Sequence, residues 1–133
     1  MEIKMVPVRD FVIVYNSESD RLDPKKSGRW ILFSRDPSFS AKLVRRAVRK
    51  DIVHEAKYVR TGAGPISFYL NADDDEGHVR LISWLLGQDL LPRNAEGTIR
   101  DQKFIPDAGA WIHRSMMLSD YIDLASGSMR GLD

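Results

Sequence analysis

Residues 41–50, AKLVRRAVRK, carry five basic side chains and no acid. On a helix, Lys42, Arg45, Arg46 and Arg49 follow the i, i+3, i+4, i+7 spacing and fall in one stripe about 100° wide, with Lys50 at its margin. The chemistry open to such a stripe is electrostatic: a guanidinium takes phosphate or carboxylate oxygens in pairs, and an ammonium supplies a point charge. A solvated helix face normally interleaves acids, because like charges four residues apart repel by about 0.2–0.5 kcal/mol per pair. Lys42–Arg46 and Arg45–Arg49 are both unrelieved in this stretch. The helix C-terminus, which favours cations, gives some relief, and acids elsewhere in the fold could give more. An ordinary wet face and an anion-binding surface therefore stand as equal readings. Lys57 and Arg60 downstream, with Lys25, Lys26 and Arg29 upstream, would widen a patch. Trp30, Tyr58 and Tyr69 could stack on single-stranded bases, although aromatics at strand spacing are more often core residues.

The other chemical candidates are weaker. DDDEGH (73–78) gathers Asp73, Asp75, Glu76 and His78, but matches no EF-hand loop and no metal-binding histidine pair. Acids at a helix start are favoured by the backbone dipole alone. His54, His78 and His113 share no ligand spacing, and the absence of cysteine removes disulfides, thiolate zinc sites and a cysteine nucleophile. No nucleophile elbow, phosphate loop or dinucleotide fingerprint occurs; TGAGP (61–65) has the glycines but sits inside an expected hairpin. No metal and no cofactor are expected, and nothing in the motifs demands catalysis.

The elements that must position these residues alternate between strand and helix patterns. FVIVY (11–15) reads as a strand buried on both faces or nearly so. A polar loop follows over 16–28, punctuated by Pro24 and Gly28. RWILF (29–33) is a second strand, with Trp30 and Leu32 on one face and Ile31 and Phe33 on the other. Asp36 and Ser38 offer helix-start chemistry, and apolar residues at 39, 43, 44, 47 and 48 form a helical stripe ending near Asp51. A strand over 52–60 closes through TGAGP onto ISFYLN (66–71), where Ile66, Phe68 and Leu70 share a face. A second helix starts among the acids near residue 73, lines one side with Val79, Ile82 and Leu86, and stops at Gly87. Strands near 98–105 and at GAWIH, and a short helix over 115–124, complete the chain.

Mixed elements with at least one antiparallel hairpin predict an α+β fold: a single curved antiparallel sheet with two or three helices on one side. The 133 residues fit one domain spanning 1–133, with residues 126–133 expected to fray. The apolar run FVIVY is far too short to span a membrane or form a signal-peptide core, so the expectation is a cytoplasmic protein without a membrane partner. Charge is unevenly spread. Residues 25–60 hold eleven Lys or Arg against three acids, a net +8, which leaves −7 for the rest of a chain whose total is +1. Such a dipolar molecule steers its basic end towards anions.

SGRWILF, EAKYVR, FYLNADDDEGHVRLISWLL and FIPDAGAW together resemble an uncharacterised family named for a basophilic-leukaemia-expressed protein, over roughly residues 27–112. That resemblance implies a fold similar to the cap-binding translation initiation factor, a curved antiparallel sheet backed by helices. The family also carries the label of a phosphothreonine lyase domain. Cap binding would need two rings to sandwich a base plus an acid to read its edge, for which Trp30, Trp84 and Trp111 are available. Elimination from phosphothreonine would need a lysine base, a general acid and an arginine clamp; Lys57 matches the family's Ala-Lys motif, with His54 and Arg60 close in sequence. Strand alternation puts His54 and Arg60 on one face and Lys57 on the other, against convergence.

The leading expectation is a non-enzymatic protein that engages nucleic acid or another phosphate-bearing partner through Lys42, Arg45, Arg46 and Arg49, with Lys57 and Arg60 as extensions. An acidic protein partner would satisfy the same charges, and a lyase using Lys57 as base is the enzymatic rival.

Overall fold

The computed structural model describes residues 2–18, 22–111 and 115–131. Six strands form one antiparallel sheet: β1 (Ile3–Val8), β2 (Phe11–Asn16), β3 (Ser27–Ser34), β4 (Glu55–Val59), β5 (Gly64–Asn71) and β6 (Ile105–Pro106). Their spatial order is β1-β2-β4-β5-β3-β6, with every pair antiparallel. Helices α1 (Pro37–Arg49) and α2 (Asp75–Gly87) complete the main body, and a separate ribbon pairs β7 (Ile122–Asp123) with β8 (Ser128–Met129). The class is α+β, as the sequence pattern predicts.

Strand alternation decides which face is covered. Val12, Val14, Trp30, Leu32, Ala56, Tyr58, Ile66, Phe68 and Leu70 share a single buried cluster with the apolar stripes of both helices. FVIVY is therefore buried on one face, not both: Phe11, Ile13 and Tyr15 remain half-exposed on the side without helices.

Helix α1 begins where Asp36 accepts a bond from the Ser38 amide (2.9 Å), with Pro37 in the first turn. Its stripe is Ser40, Leu43, Val44, Ala47 and Val48; Phe39, expected in the stripe, is exposed, and Ser40 takes the buried place with its hydroxyl on the Asp36 carbonyl. Burying a Leu or Val stabilises by about 1.5–3 kcal/mol, so three such residues outweigh the few tenths lost to repulsion along the basic face. That is why a helix whose back carries five cations, with no carboxylate partner among the described residues, still forms.

Both helices stop in the same way. Asp51 and Asp89 adopt left-handed φ values of 57° and 56°. The next residue's amide then reaches back to the helix, Ile52 to the Ala47 carbonyl (2.9 Å) and Leu90 to the Leu85 carbonyl (3.1 Å). Helix α2 thus ends at Gly87, as expected, with Asp89 rather than the glycine taking the left-handed conformation. The buried side of α2 is Gly77, His78, Leu81, Ile82 and Leu85, with Val79 and Leu86 only half-buried. Expectation and structure differ by about one residue of helical phase, because buried His78 belongs to the stripe.

The C-terminal third departs most from expectation. Thr98–Phe104 is irregular, held by single bridges between Arg93 and Ile99 and between Lys103 and Met117, and only Ile105–Pro106 joins the sheet. Residues 109–111 of GAWIH form no strand, and 112–113 lie outside the described residues. The helix expected over 115–124 is a 3-10 turn (Leu118–Asp120) leading into β7. The tail expected to fray holds β8, and the Arg130 guanidinium donates to the Ser119 and Ile122 carbonyls, both at 3.0 Å. Ser27 and Gly28, read as loop, belong to β3.

Candidate anion-binding ridge and open-face cleft

Lys42, Arg45, Arg46 and Arg49 are all exposed along α1, opposite the buried stripe, with Lys50 beside them as C-cap. No carboxylate among the described residues lies within ion-pair distance of any of the five. The Arg46 guanidinium donates to the Gln88 side-chain oxygen (3.3 Å), a neutral partner that leaves its charge in place. The acids that could have faced the ridge are used elsewhere. Asp73 holds Lys26 at 2.7 Å, and this bond lowers the Asp73 pKa. Asp74 caps α2 through the Gly77 amide (3.0 Å), and Asp75 and Glu76 sit in that helix's first turn, where its dipole favours them. Among the described residues no group of three or more His, Asp or Glu is placed to share a metal ion.

Of the two expected extensions, Lys57 lies off the ridge. Lys57 points to the helix-free face of the sheet, where its ammonium lies 4.6 Å from the Phe11 ring centroid and 6.0 Å from that of Tyr69. Arg60 is exposed beyond the end of β4, its amide donating to the Asp10 carbonyl. His54 precedes β4, so six residues of extended chain, about 20 Å, separate it from Arg60. The three residues that elimination chemistry would need are strung along a strand rather than gathered. Lys26 and Arg29 are also committed, to Asp73 and to Asp107.

The aromatic platforms are closed. Trp30, Tyr58 and Tyr69 are each less than one-tenth exposed. Trp30 donates from Nε1 to His78 Nδ1 (3.0 Å) and packs against Phe104 and Tyr121. His78 Nε2 faces the Asn71 and Ala72 carbonyls at 3.1 Å, which fixes the neutral tautomer with the proton on Nε2. Burial holds the His78 pKa below its ordinary value. Trp84 packs partly against the core from α2, so neither it nor Trp30 offers a ring to sandwich a base.

One site escaped the sequence reading. Cross-strand register places Tyr15, Glu55, Tyr69 and Arg29 in one row across β2, β4, β5 and β3, on the helix-free face. Where this row meets the segments around Leu22–Pro24 and Asp107–Ala108 lies a cleft of about 570 Å³, walled also by Val6, Ile13, Asn16, Ser27 and His54. Asp107 accepts from the Ser27 hydroxyl (2.8 Å) and from the Arg29 guanidinium (3.3 Å). Glu55 makes no hydrogen bond or ion pair within the described residues, and burial, reinforced by repulsion from Asp107, raises its pKa despite the opposing charge of Lys57. His54 Nδ1 lies 3.4 Å from an Asp51 oxygen without hydrogen-bond geometry. The alternation Glu55-Ala56-Lys57-Tyr58 does signal that Glu55 and Lys57 share the face away from the core. Asp107, eighty residues from its partner Ser27, has no such local signal.

Among the described residues no helix is long and apolar enough to cross a membrane. Comparison of the chain with protein-family models, curated proteins and solved structures finds no match.

Proposed function

We propose that this chain is a non-enzymatic binding protein that grips a nucleic acid through the α1 ridge. The observation that carries this reading is the row Lys42, Arg45, Arg46 and Arg49, exposed on one helix face with no carboxylate among the described residues close enough to neutralise it. Four cations in line suit phosphates spaced along a backbone, and the arginines can take two oxygens each. Affinity then comes from counterion release and carries little sequence preference, since Trp30, Tyr58 and Tyr69 are too buried to read bases.

Fluorescence anisotropy with labelled single-stranded RNA and with duplex DNA tests this. Four phosphate contacts give a log–log salt slope of about −2.8 on single strands or about −3.6 on duplex. Arg45→Glu with Arg49→Glu should weaken binding at least tenfold, yet move the unfolding free energy by no more than about 0.5 kcal/mol, because both side chains are exposed. A flat salt response, or a double variant that binds normally, overturns the reading. Capture of an acidic protein that survives nuclease treatment would assign the ridge to that partner instead. Loss of phosphate from a threonine phosphopeptide, with a dehydrated product in the mass spectrum, would establish the lyase alternative.

A further inference from the structure

The cleft on the helix-free face has a different chemistry from the ridge. Its volume of about 570 Å³ falls within the range of small-molecule sites. Val6, Ile13, Leu22 and Pro24 give it apolar walls, and Tyr15 adds an aromatic ring. Two carboxylates, Glu55 and Asp107, reach it from different elements. Asp107 is matched by Ser27 and Arg29, whereas Glu55 has no partner among the described residues.

We infer that this cleft binds a small organic cation, an ammonium or guanidinium carried on a short apolar stem, with Glu55 as its counter-charge. An anion would meet two carboxylates. A neutral apolar guest would fill the walls but leave Glu55 in a drier place with only the charge of Lys57 to offset its own. A cation compensates it, and the Tyr15 ring can contribute a further attraction to the same charge. The other charged groups near Glu55 leave the role open: Arg29 is tied to Asp107, and Lys57 sits over Phe11 and Tyr69. The raised Glu55 pKa agrees with a carboxylate that lacks its partner, and bound cation should lower it.

Isothermal titration calorimetry at pH 7 with butylguanidinium and butylammonium, against butanol and butyrate, tests the inference. Saturable binding of the cations, with butyrate silent and butanol at least tenfold weaker, is the expected result. Glu55→Gln keeps the shape and breaks no bond within the described residues, and should weaken the cations at least tenfold. Ala108→Phe, at the exposed rim, should obstruct the cleft and abolish binding even if the Glu55 variant fails to fold. Equal binding of butanol and butylammonium, unchanged affinity in folded Glu55→Gln, or no saturable binding of either cation overturns it.

Discussion

His78 and Glu55 lie on opposite sides of the same sheet, and their surroundings could hardly differ more. His78 is fully buried beneath α2 with both ring nitrogens matched, one by Trp30 and the other by two carbonyls. Glu55 is half-buried on the helix-free side without a hydrogen bond among the described residues. On the covered side the fold satisfies its own polar atoms, since a buried unpaired group costs about 1–3 kcal/mol. On the other side it leaves a charge group unmatched, which is where outside chemistry has an opening.

The largest test of that contrast is truncation on each face. Trp30→Ala removes a nearly fully buried ring and leaves His78 Nδ1 without its donor, and should cost about 3–5 kcal/mol in urea denaturation. Phe33→Ala, three residues along the same strand but 66% exposed, should move stability by about 0.5 kcal/mol at most. Comparable losses for the two would mean the helix-free face is covered in solution.

Gly28→Ala is expected to be intermediate. A Cβ at Gly28 would stand 2.5 Å from the Phe104 ring and 2.6 Å from the Ile105 carbonyl oxygen, where β6 crosses β3. Such overpacking costs about 1–3 kcal/mol, measured by the same denaturation.

The smallest effects are in pH dependence, and their signs are opposite. His78 has a lowered pKa, so as pH falls below 6.5 the unfolded chain takes a proton that the folded chain resists. Its contribution is complete above pH 6.5 and is lost as pH falls towards the lowered folded value. Glu55 has a raised pKa, so its contribution is present below pH 4.5 and is lost as pH rises through the folded value. Thermal melting from pH 8 to 4 should show the midpoint falling below pH 6.5, while Glu55→Gln melts slightly higher than the parent at pH 7. In Glu55→Gln, where the opposing contribution is removed, a midpoint that rises on acidification from pH 7 to 5.5 would contradict the assignment of His78 as neutral.

Much of the fold was legible where a single period ran unbroken. RWILF alternates cleanly, and Leu43, Val44, Ala47 and Val48 mark the buried side of α1. Strand β1 was not anticipated, because Lys4–Val8 are all exposed and Pro7 interrupts the run. The helix expected over 115–124 has a weak pattern behind it, since Met116, Leu118 and Ile122 fall at gaps of two and four residues. Local carboxylates decide otherwise: Asp120 accepts from the Met117 amide (2.8 Å) and Asp123 from those of Ala125 and Ser126 (3.0 Å each), turning the chain into a ribbon. The ridge was readable because one helix carries all of it. The cleft draws on four strands and two distant loops, so its parts meet only through tertiary register.

The sheet also ends in an unusual way at its two margins. The outermost strands, β1 and β6, each contain a proline, Pro7 and Pro106, and β1 adds the exposed charge of Lys4. A proline has no amide hydrogen to offer a newcomer, and a charged side chain makes close stacking of identical copies unfavourable. Growth into filaments by main-chain addition is thereby discouraged at both rims.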